Sequence, residues 1–131
     1  MIRPSVFLAD DHTEFLKSTA ALLQPHFELV GTTGDGASLI SEVRRLKPDV
    51  VVVDITMPIM TGIEAVHELI KSGSSSRFVF LTIHSSEEYI KACLGEGARG
   101  FVTKSRMKAH LIPAIYAALD DRTYVTTSTS M

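Results

Sequence analysis

Four consecutive valines, Val50-Val51-Val52-Val53, run directly into Asp54. Four β-branched residues with no polar alternation suit a strand buried on both faces, and such burial marks a parallel sheet covered by helices on each side. Parallel neighbours need crossovers of a dozen or more residues, usually helical. The remaining sequence supplies both parts. Ser5 to Ala9, Glu28 to Thr33, Phe78 to Thr82 and Gly100 to Thr103 read as further strands. Between them apolar residues recur at helical spacing: Leu16, Ala20 and Leu23, then Leu39, Val43 and Leu46, then Ile63, Val66 and Ile70, then Ile90, Cys93 and Leu94. A last helix holds Leu111, Ile115, Ala118 and Leu119, and Pro113 predicts that it starts late or kinks. The expected fold is α/β: a doubly wound, five-stranded parallel sheet with five helices over residues 1–119. Residues 120–131 read as a polar tail or linker.

Length and charge narrow the function classes. A chain of 131 residues, 45% hydrophobic, suits one domain with a sizeable core. A formal charge of -2 gives no electrostatic footprint for nucleic acid, so this chain is not expected to grip DNA itself. Cys93 is the single cysteine, which removes intramolecular disulfides and cysteine-rich metal sites. No apolar run approaches the ~20 residues that span a bilayer, and Met1-Ile2-Arg3-Pro4 lacks a signal-peptide pattern. A cytoplasmic protein without membrane contact is the expectation.

The chemistry-bearing residues follow the strands. Asp10 and Asp11, Asp54, Thr82 and Lys104 each sit at or just past the C-terminal end of an apolar run. In a parallel sheet those ends converge on one edge, where ligands bind. Three carboxylates, a hydroxyl and an ammonium gathered there make a hard-cation site beside a phosphoryl-binding site. Singly, each has an ordinary reading. Asp10-Asp11 can cap a helix, Asp54 can open a turn, Thr82 and Phe101 can be core residues, and Lys104 can be a solvated lysine.

Taken together, Leu8-Ala9-Asp10-Asp11-His12, Val53-Asp54-Ile55-Thr56-Met57-Pro58, Leu81-Thr82-Ile83-His84 and Gly100-Phe101-Val102-Thr103-Lys104 resemble the receiver domain of bacterial two-component response regulators. The resemblance runs from Ile2 to about Tyr124. Tyr89, Gly95-Glu96-Gly97-Ala98 and Asp121-Arg122-Thr123-Tyr124 are most similar to the subfamily carrying a C-terminal LuxR-type helix-turn-helix, which is expected to lie outside this chain. The resemblance implies a flavodoxin-like sheet in the order 2-1-3-4-5. It implies that Asp54 accepts a phosphoryl group from a sensor histidine kinase, with Lys104 and Thr82 binding its oxygens. It also implies Mg2+, held by Asp11, Asp54 and the Thr56 carbonyl, with Asp10 acting through a water. Three carboxylates, a divalent cation and Lys104 sum to zero formal charge, so a phosphoryl group can enter without large net repulsion.

In such a receiver Thr82 and Phe101 form the switch, altering the surface near the fourth helix and fifth strand. The expected consequences are homodimerisation and a transcriptional output, with no external turnover substrate and so no enzyme in the ordinary sense. The alternatives are a stand-alone docking adaptor or a magnesium-dependent phosphohydrolase with an aspartyl-phosphate intermediate. The latter class usually carries an Asp-x-Asp motif, which Asp10-Asp11-His12 does not provide. Two positions depart from the family pattern. Ser105 replaces a proline that is often preceded by a cis bond, so a trans bond or a locally altered loop is expected here. Ile83 is bulky where a small residue is common, and is expected to narrow access to the phosphoryl group.

Overall fold

The computed structural model describes residues 3–126. The strands are β1 (Ser5–Ala9), β2 (Glu28–Thr33), β3 (Val50–Val53), β4 (Arg77–Thr82), β5 (Gly100–Thr103) and β6 (Tyr124–Val125). They alternate with α1 (Thr13–Leu23), α2 (Gly36–Leu46), α3 (Gly62–Lys71), α4 (Glu87–Gly95) and α5 (Met107–Leu119), and all pair in parallel in the order β2-β1-β3-β4-β5-β6.

Successive strand residues face opposite sides, so the valine run serves two cores at once. Val50 and Val52 join Val6, Leu8, Val79, Leu81 and Val102 against α1 and α5, where Leu23, Leu111 and Ile115 are buried. Val51 and Val53 join Phe7, Ala9, Phe78, Phe80 and Phe101 against Leu39, Val43, Val66, Leu69 and Cys93 of the other three helices. Burial pushes the Cys93 thiol up to about 12, with Glu96 adding to the shift, so it packs as a small neutral hydrophobe at physiological pH.

The sheet has six strands where the sequence reading expects five, and the residues read as a tail supply the sixth. Tyr124 and Val125 pair with Gly100 and Phe101, covering the outer edge of β5. Two residues carry too little periodicity to read as a strand. Side chains hold the segment in place: His110 Nδ1 lies 2.6 Å from the Tyr124 hydroxyl, and the Thr103 amide donates to Thr126 Oγ1 at 3.0 Å in a buried position. Residues 127–131 of the expected tail lie outside the described residues, as do Met1 and Ile2. Thr126→Val keeps the shape but strands the buried Thr103 amide. It is expected to cost about 1–3 kcal/mol, read as a lower urea midpoint at unchanged slope.

Pro113 neither delays nor ends α5, which begins at Met107 after a single 3-10 turn over Lys104–Arg106. The missing amide would have bonded the Ala109 carbonyl. Both Pro113 and Ala109 are exposed, so water can satisfy that carbonyl. Among the described residues no peptide bond is cis, so Lys104-Ser105 is trans as expected. No described helix is long and apolar enough to cross a membrane.

Candidate functional site

The ends of β1, β3 and β5 bring the predicted residues together because backbone hydrogen bonds fix their register. The Asp54 amide donates to the Ala9 carbonyl at 2.9 Å, carrying the end of β3 level with the end of β1. Asp10, Asp11 and Asp54 then offer carboxylate oxygens that all lie within 4.8 Å of one another. Asp10 and Asp54 are buried, and Asp11 is exposed at the mouth.

Lys104 reaches this cluster from the far end of β5. Its ammonium lies 2.8 Å from Asp10 Oδ2 and 3.1 Å from Asp54 Oδ2, with only 9% of the side chain exposed. Burial by itself works against the charge. The hydrogen bonds to Asp10 and Asp54 outweigh it and hold the Lys104 pKa above the usual lysine value. The ammonium is therefore charged throughout the neutral range. It is not the solvated lysine of the ordinary reading.

Each carboxylate is used differently. Asp10 spends Oδ1 on the His12 amide at 2.9 Å and Oδ2 on Lys104. His12, not either aspartate, is the N-cap residue of α1, and its side chain makes no cap bond. Asp54 spends Oδ2 on Lys104, while its Oδ1 is buried with no hydrogen-bond partner. A buried carboxylate oxygen without a partner is costly unless something completes it. Magnesium fits this donor set on that ground: it takes oxygen ligands and uses one or two carboxylates.

Thr82 is fully buried at the end of β4, and its Oγ1 accepts the His84 amide at 3.3 Å. Phe101 is fully buried in the core layer beneath α2, α3 and α4. Ile83 is 75% exposed, so most of its side chain stands in solvent. The bond spanning the β3 and β4 loops comes instead from its neighbour. His84 Nε2 lies 2.9 Å from Thr56 Oγ1, and the His84 ring stacks on Tyr89 of α4 at 4.3 Å.

Sequence reasoning left three contributors unassigned. His84 reads as a dispersed histidine, and only the loop geometry pairs it with Thr56. Phe15 of α1 lies against the Lys104 ammonium, 4.4 Å from ring centroid to Nζ. Gly62 packs the start of α3 against the Asp54 carbonyl, where a Cβ would come within 1.9 Å of the oxygen. A glycine eight residues after an aspartate gives no such warning by itself.

Known proteins resemble this chain in sequence and in fold. The sequence pattern described as "Response regulator receiver domain" matches residues 6–116. The chain is 31% identical over 122 residues to transcriptional regulatory protein DegU of Brevibacillus brevis, covering 92% of this chain and 52% of that protein. It is 29% identical to the oxygen regulatory protein NreC of Staphylococcus carnosus, covering 92% and 57%. It thus spans about half the length of these curated relatives. Among solved structures, a LuxR-family two-component response regulator from Aurantimonas sp. SI85-9A1 superposes with a TM-score of 0.88 at 30% identity, covering 93% of this chain and 89% of that one. The receiver domain of the putative response regulator NarL from Mycobacterium tuberculosis also gives 0.88, at 23% identity, and shows the shared fold alone.

Proposed function

The chain belongs to the response regulator receiver domain family, and from that membership we propose that it is a phosphorylation-dependent signalling switch whose acceptor is Asp54. One observation carries the assignment: the buried Asp54 holds one oxygen against Lys104 and leaves the other without a protein partner. Asp10 has no such free oxygen, and Asp11 is exposed. Asp11, Asp54 and the Thr56 carbonyl would hold Mg2+, with Asp10 acting through a water. When bound, the cation supplies charge neutralisation for an entering phosphoryl group.

The chain's own residues do the rest. A carboxylate oxygen of Asp54 attacks phosphorus in line as the bond to the donor's leaving group breaks and that group keeps the electron pair. Lys104, already charged and desolvated, gains a phosphoryl oxygen as a partner without reorganising its surroundings. Thr82 Oγ1 accepts the His84 amide with a lone pair, so its own proton is available to a phosphoryl oxygen once the side chain turns toward Asp54. Phe101 then moves into the space vacated, biasing the surface near α4 and β5. The donor is a sensor histidine kinase, and the output is homodimerisation through a face including α4 or α5, leading to control of transcription in the cytoplasm. With its charge of -2, this chain is expected to leave duplex DNA unbound.

Incubation with acetyl phosphate and Mg2+, followed by intact-mass measurement, tests the reading. One added phosphoryl group, labile to hydroxylamine, is expected, and none would overturn it.

Lifetime of the acyl phosphate depends on access of water. Thr56 and His84 join two loops beside Asp54, whereas Ile83 stands in solvent. His84→Ala is therefore expected to shorten the phosphoryl half-life several-fold, and Ile83→Ala to change it less. Decay of purified phosphorylated protein measures both, and equal or reversed effects would sink the ranking.

A further inference from the structure

We propose that Phe15 is a positioning residue for phosphoryl transfer, holding the Lys104 ammonium against the acceptor through the face of its ring. The inference rests on the reading of Asp54 as phosphoacceptor and adds a residue to that site. An ammonium has three donors. Two of them meet Asp10 Oδ2 at 2.8 Å and Asp54 Oδ2 at 3.1 Å. No other side-chain acceptor lies within hydrogen-bond reach of Lys104 among the described residues. Its remaining side meets the Phe15 ring, 4.4 Å from Nζ to the centroid, which lies well inside the range for attraction between a cation and an aromatic face.

The contact matters because of where it sits. Phe15 is in the first turn of α1, only a few residues beyond Asp10 and Asp11, so one short segment delivers both the carboxylates and the ring. It packs against the core layer formed with α5, yet also borders an open cavity of about 680 Å³ lined by residues 104–110. Lys104 itself borders that cavity, and removing the ring would open more of its ammonium to the water there. Water offers Lys104 a competing partner and weakens its pull on a phosphoryl oxygen. A ring face supplies attraction without an acceptor atom, so the ammonium stays desolvated and keeps donors free to follow the incoming group. An aliphatic side chain of similar size would fill the space but lack the negative face.

Phe15→Leu and Phe15→Tyr separate these effects. Two readouts are taken on the full chain. The first, without phosphodonor or metal, is the hydrogen-exchange rate of the Lys104 Nζ protons by 15N NMR. The second is the rate of Asp54 labelling by acetyl phosphate with Mg2+. In Phe15→Leu, exchange is expected to quicken and labelling to slow, each about tenfold, while Phe15→Tyr stays within about twofold of wild type. Unchanged Nζ exchange in Phe15→Leu would overturn the placement, and faster exchange with unchanged labelling would overturn the role in transfer. Equal loss in both variants would overturn the requirement for a ring face. A wild-type chain that takes no phosphoryl group would refute the acceptor reading instead, and the exchange rates would still decide how the ammonium is held.

Discussion

Asp54→Asn is expected to take up no phosphoryl group from acetyl phosphate or a histidine kinase, and to be more stable than wild type in metal-free buffer. The first half follows from chemistry: a carboxamide offers no anionic oxygen to attack phosphorus. The second half follows from the local charge balance. Asp54 faces two other carboxylates and one ammonium, so neutralising it removes two repulsions and one attraction. The net relief is about 1 kcal/mol if the groups interact as partly screened neighbours. Lys104 keeps Asp10 as a partner, so no buried cation is left alone. Mass measurement checks uptake, and thermal melting with and without Mg2+ checks stability. Uptake at the wild-type level would transfer the acceptor role to another residue. A lower melting temperature in metal-free buffer would mean that the Lys104 pair outweighs the repulsion. Chelating the metal from the wild-type chain is expected to reduce uptake to background as well, since three carboxylates then face one ammonium.

The parts of this site that were legible in the sequence are those set by strand ends. Asp10, Asp54, Thr82 and Lys104 each sit at or just past the end of an apolar run, and continuous apolar strands joined in parallel by helical crossovers bring those ends to one edge. Burial of Val50 to Val53 on both faces was readable for the same reason. What stayed hidden depends on side chains meeting across elements with no shared period. Phe15 and Lys104 lie in α1 and beyond β5, and no spacing rule links them. His84 finds Thr56 only because two loops lie side by side. The sixth strand was illegible for a different reason. Tyr124 and Val125 are too few to show alternation, and they are held by Thr126, His110 and the open edge of β5. Pro113 was legible as a helix breaker, but its cost depends on exposure, which a pattern of apolar spacing does not reveal at one residue.

Gly62→Ala is expected to be the most damaging glycine-to-alanine change among the described residues, because it sets the fold against the site. The Cβ would lie 1.9 Å from the Asp54 carbonyl oxygen and 2.9 Å from its carbon. Both are backbone atoms of a central strand end, so no rotamer change can relieve the contact. If α3 retreats, it gives up the Gly62 amide bond to the Ile55 carbonyl at 2.7 Å and disturbs the reciprocal cap between Thr61 and Glu64. If the end of β3 retreats instead, it carries Asp54 away from Lys104 and out of level with Ala9. Either route costs about 3–5 kcal/mol, at the upper end of single-substitution effects, because backbone packing is broken. Gly95→Ala is the matched control: nothing lies within 4 Å of its added methyl, at the last residue of α4. That change is expected to be neutral or slightly stabilising. Urea unfolding of the two variants reads the difference directly, and phosphoryl uptake by any folded Gly62→Ala protein reports which side yields. Loss of uptake in a folded variant means that β3 moved, and retained uptake means that α3 did. A Gly62→Ala midpoint equal to that of wild type would show that the close approach of α3 to Asp54 does not constrain the acceptor.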